Sequence, residues 1–144
     1  MFKKILVPLD GSSFSEEALP HARELAACGD AEIILARVDE AYEPPPGVFV
    51  PATAMPEAVQ LSAGEYLEQL ASRLHIAGFK VNSAVLDGKV ADALLKFAKS
   101  EGVDLIVMST HGRTGLSRLL MGSVAEQIVH GAHCPVLLVR PEAQ

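Results

Sequence analysis

The chain has 144 residues, 49% of them apolar and 5% aromatic, with a formal net charge of −6. A single domain of this length buries roughly two-thirds of its unfolded surface, and with so few aromatics its core must be built from Val, Leu, Ile and Ala. The acidic balance argues against a general nucleic-acid surface, which needs clustered Lys and Arg. No apolar run has the length of a bilayer span, and Cys28 and Cys134 lack metal or redox spacing, so a soluble, cytoplasmic protein with no membrane partner is expected.

Met1-Phe2-Lys3-Lys4 carries charge like a signal n-region, but the following apolar run is too short and ends at Asp10, so Lys3 to Leu9 reads as the first strand. Ser13-Phe14-Ser15-Glu16 then has the spacing of a capping box. Ala18, Leu19, Ala22, Leu25 and Ala26 share one helical face, which Gly29 ends. Pro20 conflicts with an unbroken helix and predicts a bend near its start. Ala31 to Val38 reads as the second strand, with an apolar centre at Ile33-Ile34-Leu35-Ala36 typical of burial on both faces.

Asp39 to Pro56 holds Pro44, Pro45, Pro46, Pro51 and Pro56, a density that excludes a regular helix or inner strand and predicts a long loop or lid. Glu57 to Ala77 is predicted helical, with Ala63, Tyr66, Leu67, Leu70 and Leu74 on one side and Gly78 as its stop. Phe79 to Leu86 follows as the third strand. Lys89 to Glu101 is the next helix, with Val90, Ala93, Leu94, Phe97 and Ala98 as its expected buried stripe. Val103 to Met108 is the fourth strand, Gly122 to His130 the last helix, and Pro135 to Val139 a short final strand whose first residue tolerates proline.

Five strands alternating with four helices imply βαβ units, right-handed crossovers and an α/β fold whose parallel sheet is covered on both faces. Ligands of such sheets bind beyond the carboxyl ends of the strands, where strand order reverses. The residues just after the first, second and fourth strands are therefore the candidates.

Asp10 places a carboxylate where a ribose hydroxyl or a metal-bound phosphate can sit, although an aspartate before a helix also serves simply as an acceptor for free helix N–H groups. The first turn lacks Gly-x-Gly-x-x-Gly, and the chain lacks the P-loop pattern Gly-x-x-x-x-Gly-Lys-Ser/Thr. After the fourth strand, Ser109-Thr110-His111-Gly112-Arg113-Thr114-Gly115 and the helix start at Gly122-Ser123 have the composition of a phosphate-holding turn, because glycines let backbone N–H groups approach an anion and a helix N-terminus supplies unpaired donors. Arg113 and Arg118 add charge there or are simply solvated, and His111 has no partnered carboxylate or nucleophile evident from spacing. His130, His133 and Cys134 have the chemistry of metal ligands, but the expectation is that the histidines complement a helix C-terminus. Cys28 is expected to be a small buried apolar residue.

The ordered blocks Lys4 to Ser12, Ile34 to Val38, Asp104 to Gly115, Leu119 to Glu126 and Cys134 to Val139 resemble the universal stress protein family over nearly the whole chain. The resemblance implies a single Rossmann-like universal stress protein domain over residues 1–144, with strand order 3-2-1-4-5. The nucleotide-binding branch of that family carries Gly, two residues, Gly, nine residues, then Gly-Ser or Gly-Thr. Gly112 and Gly122-Ser123 fit this spacing, and Ser109 stands where the first glycine is expected.

By that resemblance the ligand is ATP with Mg or Mn bridging its phosphates. Asp10 would bond the ribose or adenine side, Val38 would seat adenine, and Pro8 and Leu9 would lie beside it. Gly112, Gly122, Ser123 and Val124 would hold phosphates, with Ser109, His111, Arg113 and Gly115 in the same loop. The family also implies a homodimer paired through Val136 to Val139. The function expected is a nucleotide-dependent regulatory or stress-response module, in which the segment from Glu40 to Pro56 links nucleotide state to a partner-facing surface. Two alternatives stand beside it: a dimeric, chaperone-like interaction protein that binds no nucleotide, and a slow ATP-hydrolysing enzyme, for which no catalytic residue is assigned.

Overall fold

The computed structural model describes residues 1–39, 46–47, 62–111 and 121–142. In chain order the elements are β1 (Lys4–Pro8), α1 (Ser13–Glu16), α2 (Ala18–Gly29), β2 (Glu32–Asp39), α3 (Ala63–Ile76), β3 (Lys80–Asp87), α4 (Val90–Ser100), β4 (Leu105–Ser109), α5 (Ser123–Gly131) and β5 (Val136–Val139). The strands form one sheet in the order β3-β2-β1-β4-β5, and every pairing is parallel. The expected α/β fold and strand order are thus observed.

The period-two alternation of strand side chains sorts the apolar runs onto two faces. Ile5, Val7, Ile33, Leu35, Leu105 and Val107 join a core closed by Ala18, Ala22 and Ala26 of α2 and Leu67, Leu70 and Leu74 of α3. Leu6, Ile34, Ala36, Ile106 and Met108 face the other way, against Ala91, Leu94 and Ala98 of α4 and Ala125 and Ile128 of α5. Strands β1, β2 and β4 read as continuous apolar runs because both of their faces are covered. The alanines matter for the same reason: small residues on α2 and α4 let the helices lie close on the sheet.

Several local expectations are corrected. Ser12, not Ser13, caps the first helix, its side chain accepting from the Ser15 N–H. The expected bent helix is two helices separated at Glu17, so Pro20 becomes the third residue of α2, in the first turn, where no intrahelical N–H bond is required. There are accordingly five helices rather than four among the described residues. Helix α3 starts after the capping Ser62, not at Glu57, and residues 57–61 lie outside the described residues.

On α4, Ala91 is buried and had not been placed in the stripe, whereas Val90, Ala93 and Phe97 are only half-buried. Cys28 is exposed, contrary to expectation, because it sits on the side of α2 opposite Ala18, Ala22 and Ala26. The segment expected to act as a lid, Glu40 to Pro56, lies outside the described residues except for Pro46 and Gly47.

Strand β1 lies between β2 and β4, so the chain order runs outward in opposite directions from it. That is the switch point at which adjacent connections diverge and leave a crevice at the carboxyl ends of the strands.

Candidate functional site

Two turns frame this crevice. At the end of β1 the pairing continues through the Leu9 N–H, which donates to the Ala36 carbonyl at 2.8 Å. Asp10 follows, and its Oδ1 accepts from the Ser12 N–H at 2.8 Å and the Ser12 hydroxyl at 2.5 Å. The Ser12 Oγ in turn accepts from the Ser15 N–H at 3.2 Å, while the Ser15 hydroxyl donates to the Ser12 carbonyl at 2.9 Å and accepts from the Asp10 N–H at 3.3 Å. The carboxylate is therefore oriented by its own turn.

Gly11, between them, has φ +88°, and a Cβ there would meet the Arg37 guanidinium at 3.0 Å. Arg37 lies over the Tyr66 ring, 5.1 Å from its centre, in cation–π geometry. Burial pushes the Tyr66 phenol pKa upward, and the neighbouring Glu16 charge reinforces the shift while Arg37 opposes it.

The second turn leaves β4 at the buried Ser109. Its hydroxyl donates to the His111 carbonyl at 2.8 Å and accepts from the His111 N–H at 3.2 Å. The Thr110 N–H donates to the Val139 carbonyl at 2.9 Å, and the Thr110 carbonyl accepts from the Gly122 N–H at 2.7 Å. The Thr110 hydroxyl lies 2.9 Å from His111 Nδ1. Gly122 is required by packing, since a Cβ there would stand 2.8 Å from the Thr110 carbonyl oxygen. Gly122 is also the N-cap of α5 and, as a glycine, brings no side chain of its own to cap it. The first N–H groups of this helix and the positive end of its dipole therefore serve as donors at the rim.

Between the turns lies a cleft of about 320 Å³. Its floor and walls are apolar, from Pro8, Leu9, Ala36, Val38, Val90, Leu94, Met108, Val124 and Ala125. Asp10 and Ser15 supply polar atoms on one side, and Ser109, Thr110, His111, Gly122 and Ser123 on the other. Asp10 is the one carboxylate among the described lining residues. The arrangement suits a flat apolar group against the floor, hydroxyls near the carboxylate and an anion at the start of α5.

The structure places Pro8, Leu9, Asp10, Val38, Ser109, His111, Gly122, Ser123 and Val124 together on this cleft. Gly112, Arg113, Gly115 and Arg118 lie outside the described residues. The sequence argument missed Ser15, Ala36, Val90, Leu94, Met108 and Ala125, and held Thr110 in the candidate turn without giving it a role. Ala36 was within reach of it, since it shares a strand face with Val38; Val90 and Leu94 arrive through the packing of α4, for which the sequence holds no local signal.

The histidine and cysteine cluster near the end of α5 serves other purposes. His130 occupies the last turn of the helix, and His133 Nε2 lies 3.1 Å from the Val103 carbonyl. Burial, with Asp104 adding to it, raises the Cys134 thiol pKa and so keeps the group from becoming a reactive thiolate. Among the described residues no three His, Cys, Asp or Glu side chains come together as metal ligands, and no helix is long and apolar enough to cross a membrane.

The parallel sheet and its switch-point cleft define a Rossmann-like α/β protein. The family model for the universal stress protein family matches residues 1–140. Universal stress protein MJ0531 of Methanocaldococcus jannaschii is 38% identical over 144 residues, an alignment covering 97% of this chain and 83% of that protein. The solved structure of protein MJ0577 covers 100% of this chain and 99% of its own, with a TM-score of 0.77 and 28% identity. A universal stress protein solved in complex with cAMP has the same fold, with a TM-score of 0.71 at 24% identity and coverage of 98% of each chain. The chain belongs to the universal stress protein family.

Proposed function

We propose that the cleft binds an adenine nucleotide, ATP with Mg²⁺ or Mn²⁺ between its phosphates, and that residues 1–144 form one nucleotide-dependent regulatory module working in the cytoplasm. One observation carries this reading: an apolar slot has a preset carboxylate, Asp10, on one side and the N-terminus of α5 on the other. A nucleotide presents the matching sequence of base, ribose hydroxyls and phosphates. Val38 and the apolar floor would take the base, with Pro8 and Leu9 beside it. Asp10 would accept from the ribose, and Gly122, Ser123 and Val124 would face the phosphates with Gly112, Arg113 and Gly115. A neighbour of the same fold holds cAMP, which puts adenine nucleotides among the ligands this architecture accommodates.

The divalent ion fits as a companion of the phosphates rather than as the centre of a protein cage, since Asp10 is the one carboxylate among the described lining residues. It would neutralise phosphate charge, and its loss should weaken ATP more than AMP.

The test is the nucleotide content of freshly purified, denatured protein together with calorimetric titration by ATP and Mg²⁺. Near-stoichiometric nucleotide or micromolar affinity supports the proposal, and absence of both rejects it. Asp10→Ala should lower affinity by about tenfold or more, the scale of a hydrogen bond to a charged group. Loss of binding and any hydrolysis together supports a binding role; intact binding with lost hydrolysis supports the enzyme reading.

The edge strand favours a second reading, compatible with the first. β5 closes one side of the sheet with Leu137 38% exposed, and Val129 of α5 is 43% exposed. Open apolar edges call for pairing or cover, which supports a homodimer through Val136 to Val139. Sedimentation of the wild type against Leu137→Lys tests it, the dimer being expected for the first alone.

A further inference from the structure

We infer that Ser109 is a positioning residue whose hydroxyl holds His111 in place and so presets the entrance to the phosphate loop. The inference rests on the nucleotide reading above and deepens it, because Ser109 occupies the position at which the family's nucleotide-binding motif has its first glycine.

Two interpretations of this serine make opposite demands. If the position needed a glycine, for a left-handed backbone or for room, serine would be an obstruction. The backbone does not need one: among the described residues Asp30 is the only non-glycine with positive φ, so Ser109 has a conformation open to any L-residue. The side chain is also not thrust loosely into the cleft. Ser109 is 6% exposed, and its single hydroxyl engages both backbone polar groups of His111, donating to the carbonyl at 2.8 Å and accepting from the N–H at 3.2 Å. In the chain His111 immediately precedes Gly112.

The neighbouring main chain is already fixed. Thr110 is held on one side by Val139 at 2.9 Å and on the other by Gly122 at 2.7 Å. Ser109 extends that order by one residue toward the phosphates. Glycine there would remove the hydroxyl and widen the backbone's freedom, so binding would have to supply the ordering that the serine provides beforehand.

The variants Ser109→Ala and Ser109→Gly are titrated with Mg²⁺-ATP by calorimetry, their melting temperatures are recorded, and exchange of the His111 amide is followed by NMR in the unliganded protein. Ser109→Ala should weaken binding roughly fivefold, the net effect of losing such hydrogen bonds, and Ser109→Gly should weaken it further. In both variants the His111 amide should exchange faster. Tighter binding by Ser109→Gly identifies the serine as an obstruction and overturns the inference. A lower melting temperature with unchanged affinity also overturns it, as does unchanged exchange at His111. If the wild type binds no adenine nucleotide, the nucleotide reading fails separately, and the exchange rates alone uphold or overturn the hold of the hydroxyl on His111.

Discussion

The two turns that frame the cleft reach similar order by opposite routes. After β1, Asp10 is set by the Ser12 N–H and by the hydroxyls of Ser12 and Ser15, all within six residues of chain. After β4, the Ser109 hydroxyl holds His111, while Thr110 is tied by main-chain bonds to Val139 and Gly122, residues far from it in sequence. A bond made by a hydroxyl can be removed by one substitution, whereas the Thr110 clasp, made by backbone atoms, resists such changes but tolerates no added bulk at Gly122. The carboxylate side is thus tunable and the anion side sterically strict.

The largest effect should come from adding bulk on the strict side. In Gly122→Ala the new Cβ would lie 2.8 Å from the Thr110 carbonyl oxygen, a backbone atom that cannot swing aside. Urea unfolding should show a loss of about 1–3 kcal/mol, the usual cost of overpacking. A cost near zero would show that the clasp gives way easily and would break the contrast. Gly11→Ala comes next: its positive φ of +88° and the Arg37 contact at 3.0 Å predict a loss of about 1–2 kcal/mol by the same measurement.

Ser12→Ala should cost about 1 kcal/mol as a lost helix cap. It should also weaken nucleotide binding by releasing Asp10, which calorimetry reads separately from stability. If affinity stays constant, the carboxylate is oriented without its turn and the tunable side is not tunable.

The smallest effect lies behind the first turn. Tyr66 has its phenol pKa raised above the ordinary value, first by burial and then by Glu16. Above about pH 10 the unfolded chain gives up this proton before the folded chain does, so stability falls as the pH rises through that range. Alkaline titration of tyrosinate absorbance should show one of the two tyrosines lagging, and Arg37→Gln should delay it further by removing the opposing charge.

What was legible in the sequence follows the same division between local and distant causes. The inner strands were readable because burial on both faces leaves long apolar runs, and the helices because Gly29, Gly78 and Gly102 mark their ends. Asp10 and Gly122-Ser123 stood out because each combines a strand end or helix start with an apt residue type. The cap was misplaced by one residue, since Ser12, Ser13 and Ser15 have similar chemistry and only backbone geometry selects among them. Cys28 was misjudged from the habits of its residue type, while its position on α2 decides its exposure. Leu94 and Met108 were missed because they reach the cleft through α4 and the sheet, relationships that no short stretch of chain encodes.

The clasp between Thr110 and Gly122, closed at 2.7 Å, ties the end of β4 directly to the start of α5. Both partners are main-chain atoms, so no side-chain replacement at Thr110 removes the acceptor, and at Gly122 only proline removes the donor. The end of β4 and the start of α5 are therefore held by a bond that most substitutions leave in place, while an added side chain at Gly122 strains it.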